Sequence, residues 1–466
     1  MDDRLTLADW LAFHGIIAVV AVLVYVVTTH AMRQRRHPTA AIAWVLFILL
    51  LPYLALPAYL AMGSRKLARR SAGMPRTLPE SAAAECWAAE TIAALGQPAA
   101  AAYRDLRIHR DGEDARRALL DAIDSAHHSV DLCTFLIGRD PVGDAVLDAL
   151  CRRAREGVRV RVLVDGLGNW IAGRPKLARL AQAGGTYKLF VPPLSSPHPG
   201  RSNLRNHRKL LVVDAVHDDG WLWCGGRNLA AEYFIGARGK PAWRDLTFDV
   251  RGSVVRQARE MFDRDWAFAS GRAGDLDAGV ADDAAPVAHG AQLVASGPDL
   301  LDDTVYALLV TAAYRARRSI ALVTPYFVPD AALLAALCLA ARRGVRVDLL
   351  LPARSNHRLS DLARNRALRA LATSGGRVWL SPGMLHAKLA VVDDDVLALA
   401  GSANLDNRSF FLNYELMVAF HDAADVRRFA AWFEEERGAA HPYVAAPPGL
   451  LRDVAEGTLL WVGFQL

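Results

Sequence analysis

The sequence predicts an α/β protein: two lobes of mixed sheet flanked by helices, related by a pseudo-two-fold, joined to an N-terminal transmembrane helical hairpin. Three observations predict it. A helix, strand, helix, strand order over residues 118–164 recurs over 307–351. An eight-residue pattern, His-x-Lys-xxxx-Asp, occurs once in each half. The first seventy residues hold two apolar stretches of about 20 residues, each long enough to cross a hydrocarbon core of about 30 Å.

The hairpin comes first. Residues from Trp10 to Thr29 contain one His and no formal charge, and those from Ala40 to Met62 contain neither. The opening MDDRLTLAD is acidic, which argues against a cleaved signal peptide. Pro52 and Pro57 are placed to kink the second segment or make it re-entrant. Arg33, Arg35 and Arg36 occupy the short loop, while Arg4, Arg65, Lys66, Arg69 and Arg70 lie on the other side. That imbalance favours a multi-pass anchor with its ends, and the lobes, on the cytoplasmic side.

The limits read from composition are 1–66 for the hairpin, 67–105 for an Ala-rich amphipathic connector, 106–285 for the first lobe and 286–466 for the second. In the first lobe LLDAIDSA, SVDLCTFLI, VGDAVLDALCRRAREG and VRVRVLVD read helix, strand, helix, strand. In the second, LLVTAAYRARR, SIALVTPYFV, AALLAALCLAARRG and VRVDLLL repeat the order. Gly157 and Gly344 each stop a helix before a Val-Arg-Val strand. Strands alternating with helices of this length imply α/β lobes. Residues 271–291, small, polar and acidic, read as the inter-lobe linker, and the Pro/Ser/Gly-rich part of 170–205 as a rim to the site. The basic stretch ARSNHRLSDLARNRALRA holds the analogous place in the second half, with a solvated helix face as its plainer reading.

Composition narrows the partners. Hydrophobic residues make up 53% of the 466 and the mean hydropathy is +0.13, high for a chain without a membrane segment. A net charge of +6 and a pI near 9.1 favour anionic surfaces, either lipid headgroups or nucleic acid. The basic cluster beside the hairpin fits lipid, and no run of bases interleaved with aromatics suggests a nucleic-acid groove. Five Cys are scattered in apolar surroundings without a CxxC, so they read as reduced core residues, and no zinc pattern is present.

The chemistry sits in the duplicated pattern. His207-x-Lys209-xxxx-Asp214 precedes Gly225-Gly226-Arg227-Asn228, and His386-x-Lys388-xxxx-Asp393 precedes Gly401-Ser402-Ala403-Asn404. The chain has only six Lys among 55 basic residues, yet keeps Lys at both matching sites. On a strand, residues i and i+2 share a face, so each His stands beside its Lys. Imidazole is a nucleophile near neutral pH, and ammonium is a compact charge suited to phosphate oxygens. Two such pairs in one cleft put a His on each side of a phosphorus, one to attack and one to protonate the leaving alkoxide. Lys209, Lys388, Asn228 and Asn404 then hold the non-bridging oxygens, with Ser402 in support. Strand histidines satisfied by ordinary hydrogen bonds would explain one copy, but not two in register.

Asp214 and Asp393 read differently. Seven residues of strand span about 23 Å and reverse the parity, so these carboxylates are expected at strand ends, organising the following turns. A nearer partner for the imidazoles is Glu415, eleven residues after Asn404, with Asp245 as its first-half counterpart. A carboxylate on Nδ1 fixes the tautomer and leaves Nε2 free.

With these motifs, the Trp243-Arg244-Asp245 triplet, the run Thr324 to Pro329, the stretch Gly401 to Glu415 and the hydrophobic N-terminal pair, the chain resembles the phospholipase D superfamily, and more narrowly the bacterial cardiolipin synthases. The resemblance covers nearly the whole chain. It implies lobes of the phospholipase D type in a bacterial inner membrane and a catalytic set of His207, Lys209, Asp214, His386, Lys388 and Asp393. It also implies a phosphohistidine intermediate, with neither metal nor cofactor. The implied reaction is phosphatidyl transfer between two phosphatidylglycerol molecules with release of glycerol. A membrane-bound hydrolase sharing the same phosphoenzyme, a phosphodiesterase acting on nucleic acid, and a lipid-binding scaffold are the competing readings. The hairpin disfavours a nuclease and the intact duplicate motifs disfavour a scaffold. Asn356 stands where the family pattern leads one to expect an acid, and the ending TLLWVGFQL finds no match.

Overall fold

The computed structural model describes residues 7–31, 38–62, 86–192, 203–217, 219–237, 239–271, 287, 289–300, 302–450, 452–453 and 456–457. The first apolar stretch forms α1 (Leu7–Ala31), and the second breaks into α2 (Pro38–Leu50) and α3 (Pro52–Met62). Proline lacks an N–H and its ring crowds the carbonyl four residues back, so the helix stops at Leu50 and restarts with Pro52 at its first position. Among the described residues only Asp9–Thr29 is long and apolar enough to cross a membrane, so the expected pair of spanning helices becomes one spanning helix and a broken one. The three pack together through Ala21, Tyr25, Ile48, Ala55 and Tyr59, and the Thr28 hydroxyl lies 2.9 Å from the Tyr59 hydroxyl. Ile16, Val19 and Leu23 remain more than half exposed on α1, an apolar face suited to lipid.

Residues 67–85 of the expected connector lie outside the described residues, as does most of the inter-lobe linker. Its described helix, α4 (Trp87–Ala94), buries Ala88 and Ile92 in the core of the second lobe, not the first.

The first lobe contains β1 (Arg104–Ile108), α5 (Gly112–Asp124), β2 (Ser129–Thr134), α6 (Pro141–Arg155), β3 (Arg159–Asp165), α7 (Gly166–Ile171), α8 (Ala178–Gln182), β4 (Thr186–Phe190), β5 (Arg205–Asn206), β6 (Leu210–Val213), β7 (Trp221–Gly225), β8 (Thr247–Arg251) and α9 (Val254–Ala269). The second contains β9 (Ala291–Ser296), α10 (Thr304–Arg315), β10 (Ser319–Val323), β11 (Phe327–Val328), α11 (Ala331–Arg342), β12 (Arg346–Pro352), α12 (Arg358–Thr373), β13 (Arg377–Ser381), β14 (Leu389–Val392), β15 (Leu397–Gly401), β16 (Leu405–Asp406), α13 (Asn407–Phe411), β17 (Asn413–Phe420), α14 (Ala423–Gly438) and β18 (His441–Pro442). The main sheets have the same order, β1-β8-β7-β6-β2-β3-β4 and β9-β17-β15-β14-β10-β12-β13, with β18 added beyond β13. That identity is the expected repeat.

Local signals set these elements. Asp140 caps α6 by accepting from the N–H groups of Val142 and Gly143, with Pro141 at the first turn, and Asp330 caps α11 in the same way. Gly157 and Gly344 both adopt φ +89°, the left-handed stop before β3 and β12.

Burial on both faces explains the apolar motif strands. Leu210 and Val212 of β6 join the core between the lobes, while Leu211 and Val213 join the outer core under α5 and α6. In β14 Leu389 and Val391 face inward, and Ala390 and Val392 face α10 and α11. A strand covered on both sides reads as a continuous apolar run. One continuous core, which takes in α9 and α14, fuses the lobes.

Candidate active site

The motif residues stand just before the strands, not within them. His207 to Lys209 bridge β5 and β6, and His386 to Lys388 lead into β14. The reason is pairing across the lobes: β5 runs parallel to the start of β17, and the His207 N–H donates to the Tyr414 carbonyl at 2.8 Å. Reciprocally, the His386 N–H donates to the Arg244 carbonyl at 2.7 Å. Each histidine is thereby docked on the opposite lobe, beside the residue that follows its partner.

Those next residues are Glu415 and Asp245. His207 Nδ1 lies 3.0 Å from Glu415 Oε1, and His386 Nδ1 lies 2.8 Å from Asp245 Oδ2. An ionised carboxylate can only accept, so Nδ1 carries the proton and Nε2 keeps its lone pair in both rings. Burial lowers the pKa of His207 despite Glu415, and burial together with Lys388 takes His386 down to about 3. Burial works against the Glu415 carboxylate, but the His207 N–H, the Lys209 charge and the Ser402 hydroxyl, 2.6 Å away, hold it below the usual range. Burial likewise opposes Asp245, and His386, Lys388 and Arg227 hold it down.

Burial pushes Lys209 down to about 8 and Lys388 down to about 7. Lys209 Nζ donates to the His207 carbonyl at 2.6 Å, and Lys388 Nζ donates to the His386 carbonyl. Lys388 Nζ also sits 2.9 Å and 3.1 Å from the two ring nitrogens of His386, so it lies over the ring face. The sets share one field. Lys388 depresses His207, Lys209 depresses His386, and both carboxylates act on both lysines. Glu415, on His207, accepts from Ser402, and Gly401 beside that serine donates to the Lys388 carbonyl at 3.3 Å, so the two His-Lys pairs stand together at the junction of the lobes.

The glycine-led turns are shaped by the carboxylates. A Cβ on Gly226 would collide with the Asp245 carboxylate, so only glycine lets Asp245 reach His386. The matching residue, Ser402, supplies a hydroxyl to Glu415 in its place. Asn228 Nδ2 donates to the Tyr233 hydroxyl at 2.9 Å, and the amide oxygens of Asn228 and Asn404 are buried without a donor among the described residues. Turned either way, each amide has a polar atom to give a ligand: a donor for a phosphate oxygen or an acceptor for an alcohol.

Asp214 and Asp393 make no contact with either imidazole among the described residues. Asp214 accepts from the backbone N–H groups of His127, His128 and Ser129 at 2.8, 2.9 and 2.6 Å, pinning the start of β2. Asp393 does the same for Arg317, Arg318 and Ser319 at the start of β10. Both have positive φ, 48° and 56°, so the backbone turns while the side chain ties down the neighbouring strand. The expected role in the following turn thus becomes a brace across the sheet.

Several contributors escaped the sequence reading. Tyr233 packs on His386 with ring centroids at 5.1 Å and Phe135 on His207 at 5.4 Å, while Trp243, already singled out in the Trp-Arg-Asp triplet, packs on His386 at 5.7 Å. Asn413 Nδ2 donates to Glu415 Oε1 at 3.2 Å. Its place two residues before Glu415 was the available signal. Beneath His207, Asn206 donates to Asp165 and Asp265, and Arg208 pairs with Asp265. No group of three His, Cys, Asp or Glu side chains among the described residues could hold a metal ion.

Two lobes of one topology, each docking its histidine beside a carboxylate of the other, define a phospholipase D-type fold. A crystal structure of phosphatidylserine synthase from Haemophilus influenzae Rd KW20 shares the fold with a TM-score of 0.60 at 14% identity, covering 80% of this chain and 98% of that one. A family model described as cardiolipin synthase, PLD-like domain, matches residues 119–266 and 309–437, and one described as phospholipase D-nuclease N-terminal matches 17–63. Cardiolipin synthase A of Pseudomonas putida (strain W619) is 33% identical over 438 residues, covering 89% of this chain and 90% of its own. Cardiolipin synthase A of Pseudomonas aeruginosa (strain LESB58) is 33% identical over 443 residues, covering 90% and 88%. The chain belongs to the cardiolipin synthase family of phospholipase D-like enzymes. Its apolar helix and its family place it at a membrane.

Proposed function

We propose that the chain makes cardiolipin by transferring a phosphatidyl group from one phosphatidylglycerol to a hydroxyl of a second, through a phosphohistidine. The observation that supports this reading is the crossed pairing of each histidine, through Nδ1, with a carboxylate of the other lobe, which leaves both Nε2 atoms unprotonated for chemistry at the junction of the lobes.

His207, the less enclosed of the two with 15% of its side chain exposed against 5% for His386, attacks the phosphorus through Nε2. The bond from phosphorus to the glycerol oxygen breaks, and that oxygen takes a proton from the His386–Lys388 pair. With Lys388 near neutrality and against the His386 ring, the pair carries a transferable proton at pH 7. The second phosphatidylglycerol then gives its hydroxyl proton back to His386 and attacks phosphorus, which frees His207. Cardiolipin and glycerol result, with no net change in the protein. Lys209, Lys388, Asn228 and Asn404 stabilise the non-bridging oxygens, Glu415 and Asp245 orient the imidazoles, and Asp214 and Asp393 hold the strands that carry the set.

The same reading puts the anchor in a bacterial inner membrane as a multi-pass element, with the lobes on the cytoplasmic side. The Arg and Lys excess flanking the helices supports this orientation. Labelled phosphatidylglycerol and purified protein test the reaction. Cardiolipin plus glycerol supports the transferase, whereas phosphatidic acid as the only lipid product replaces it with a hydrolase.

A further inference from the structure

We propose that the rim of the cleft is an interfacial docking surface, laid against the headgroup layer of an anionic phospholipid bilayer by Trp170 and Ile171 of the first lobe and Leu359 of the second. The inference rests on the lipid reading of the site and adds how the lipid reaches it. Trp170 and Ile171 are each 60% exposed and Leu359 is 50% exposed. No other tryptophan among the described residues of the lobes is exposed. Single exposed apolar side chains are ordinary on a protein surface, so their placement has to make the case.

The placement is paired and near the chemistry. α7 follows β3, and Gly168 within it lies so close to the Phe135 carbonyl that a Cβ would collide there. Phe135 packs on His207, so Trp170 stands two residues beyond a direct line to that histidine. In the second lobe α12 follows β12, the topological equivalent of β3. His357, at the start of α12, packs on Tyr326 with centroids 6.1 Å apart, and the Tyr326 hydroxyl meets Asn356 at 2.6 Å. The Tyr326 carbonyl accepts from the Thr324 hydroxyl at 2.8 Å, and that hydroxyl accepts from the N–H of Leu405 at 3.2 Å, one residue after Asn404. Leu359 is thus two residues from this second line. Each lobe thus carries an exposed apolar tip in the connection that follows its equivalent strand, β3 in one and β12 in the other.

Charge identifies the occupant. Residues 166–178 carry Arg174 and Lys176 and no acid; residues 353–361 carry Arg354 and Arg358 and one acid, Asp361, which is held by the Ser355 N–H at 2.9 Å and by Arg364. Both segments are exposed at these bases. An apolar tip ringed by bases suits an anionic lipid surface, where tryptophan settles at headgroup depth and each base adds attraction. A cleft opening onto that layer receives a headgroup phosphate while the acyl chains stay in the bilayer.

The test uses the full chain in nanodiscs containing phosphatidylglycerol with brominated acyl chains. Tryptophan quenching by the bromines is expected to fall in Trp170→Phe relative to the unmodified protein, and to be unchanged in Trp221→Phe. Arg174→Glu with Lys176→Glu is expected to raise the apparent KM for bilayer phosphatidylglycerol by about tenfold or more, since each base near the surface contributes. Turnover of a monomeric short-chain phosphodiester is expected to stay the same. Quenching in Trp170→Phe equal to the unmodified protein, or an unchanged KM in the double variant, overturns the docking surface. Quenching that depends on Trp170 in a preparation that yields phosphatidic acid and no cardiolipin supports the docking surface and rejects the transferase reading, so the two failures are distinct.

Discussion

His207 Nδ1 lies 3.0 Å from Glu415 Oε1, a contact between residues 208 positions apart that belong to different lobes. His386 repeats it with Asp245. Each half-site is therefore incomplete without the other lobe. Glu415→Gln keeps the shape but removes the charge that holds the Nδ1 proton, and is expected to lower kcat about 10²–10⁴-fold with little change in KM. Steady-state rates on phosphatidylglycerol check this. A loss below fivefold would show that the carboxylate does not orient His207.

The roles of the two histidines separate in a substrate whose leaving group needs no proton. His386→Ala is expected to cleave a nitrophenyl ester of phosphatidic acid in a burst and to stall with the label on His207. His207→Ala is expected to show neither burst nor label. Label recovered on His386 in the latter variant exchanges the two assignments.

Lysine burial gives opposite pH trends for rate and stability. Lys388 falls from 10.5 to about 7 and Lys209 from 10.5 to about 8 in the folded protein. Between those values and 10.5 the unfolded chain binds more protons at these sites, so their contribution to folding stability rises as pH rises. The rate depends on the charged ammonium groups and is expected to fall through the same range. Tm and kcat/KM measured from pH 6.5 to 9.5 should move in opposite directions, and Lys388→Met should flatten much of the Tm slope. A kcat/KM that climbs to pH 9.5 contradicts the role given to the lysine charges.

Gly226→Ala forces a methyl into the Asp245 carboxylate and pushes it off His386. Overpacking of this kind costs about 1–3 kcal/mol, and kcat is expected to drop at least tenfold in the folded fraction. Calorimetry with rate measurement separates the two effects. Unchanged activity and Tm would mean that the turn shifts freely.

Asp214→Asn tests brace against catalyst. Losing charge-assisted bonds to three backbone N–H groups is expected to cost roughly 1.5–3 kcal/mol of stability, with kcat per folded molecule within about tenfold of the original. A fall in kcat as deep as that of His207→Ala at an unchanged Tm returns Asp214 to the chemical set.

Much of this was legible in the chain because it is local or repeated. The Val-Arg-Val strands after Gly157 and Gly344, the two His-x-Lys motifs and the helical order all depend on neighbours a few residues away. The break at Pro52 was also foreshadowed, since a ring without an N–H acts on the preceding turn wherever it occurs. Aromatic contacts such as Tyr233 on His386 had no such signal, because a tyrosine five residues after a motif packs in many ways.

The sequence by itself determined two copies of an α/β unit, an apolar anchor and the side chains able to handle a phosphate. Only the tertiary structure decided that Glu415 serves His207 and Asp245 serves His386, and that Asp214 and Asp393, already expected at strand ends, hold the starts of β2 and β10. The physical reason is that side-chain period and helix stops follow from adjacent residues, whereas the pairing of β5 with β17 and of Arg244 with Leu385 arises when two sheets bury a common core.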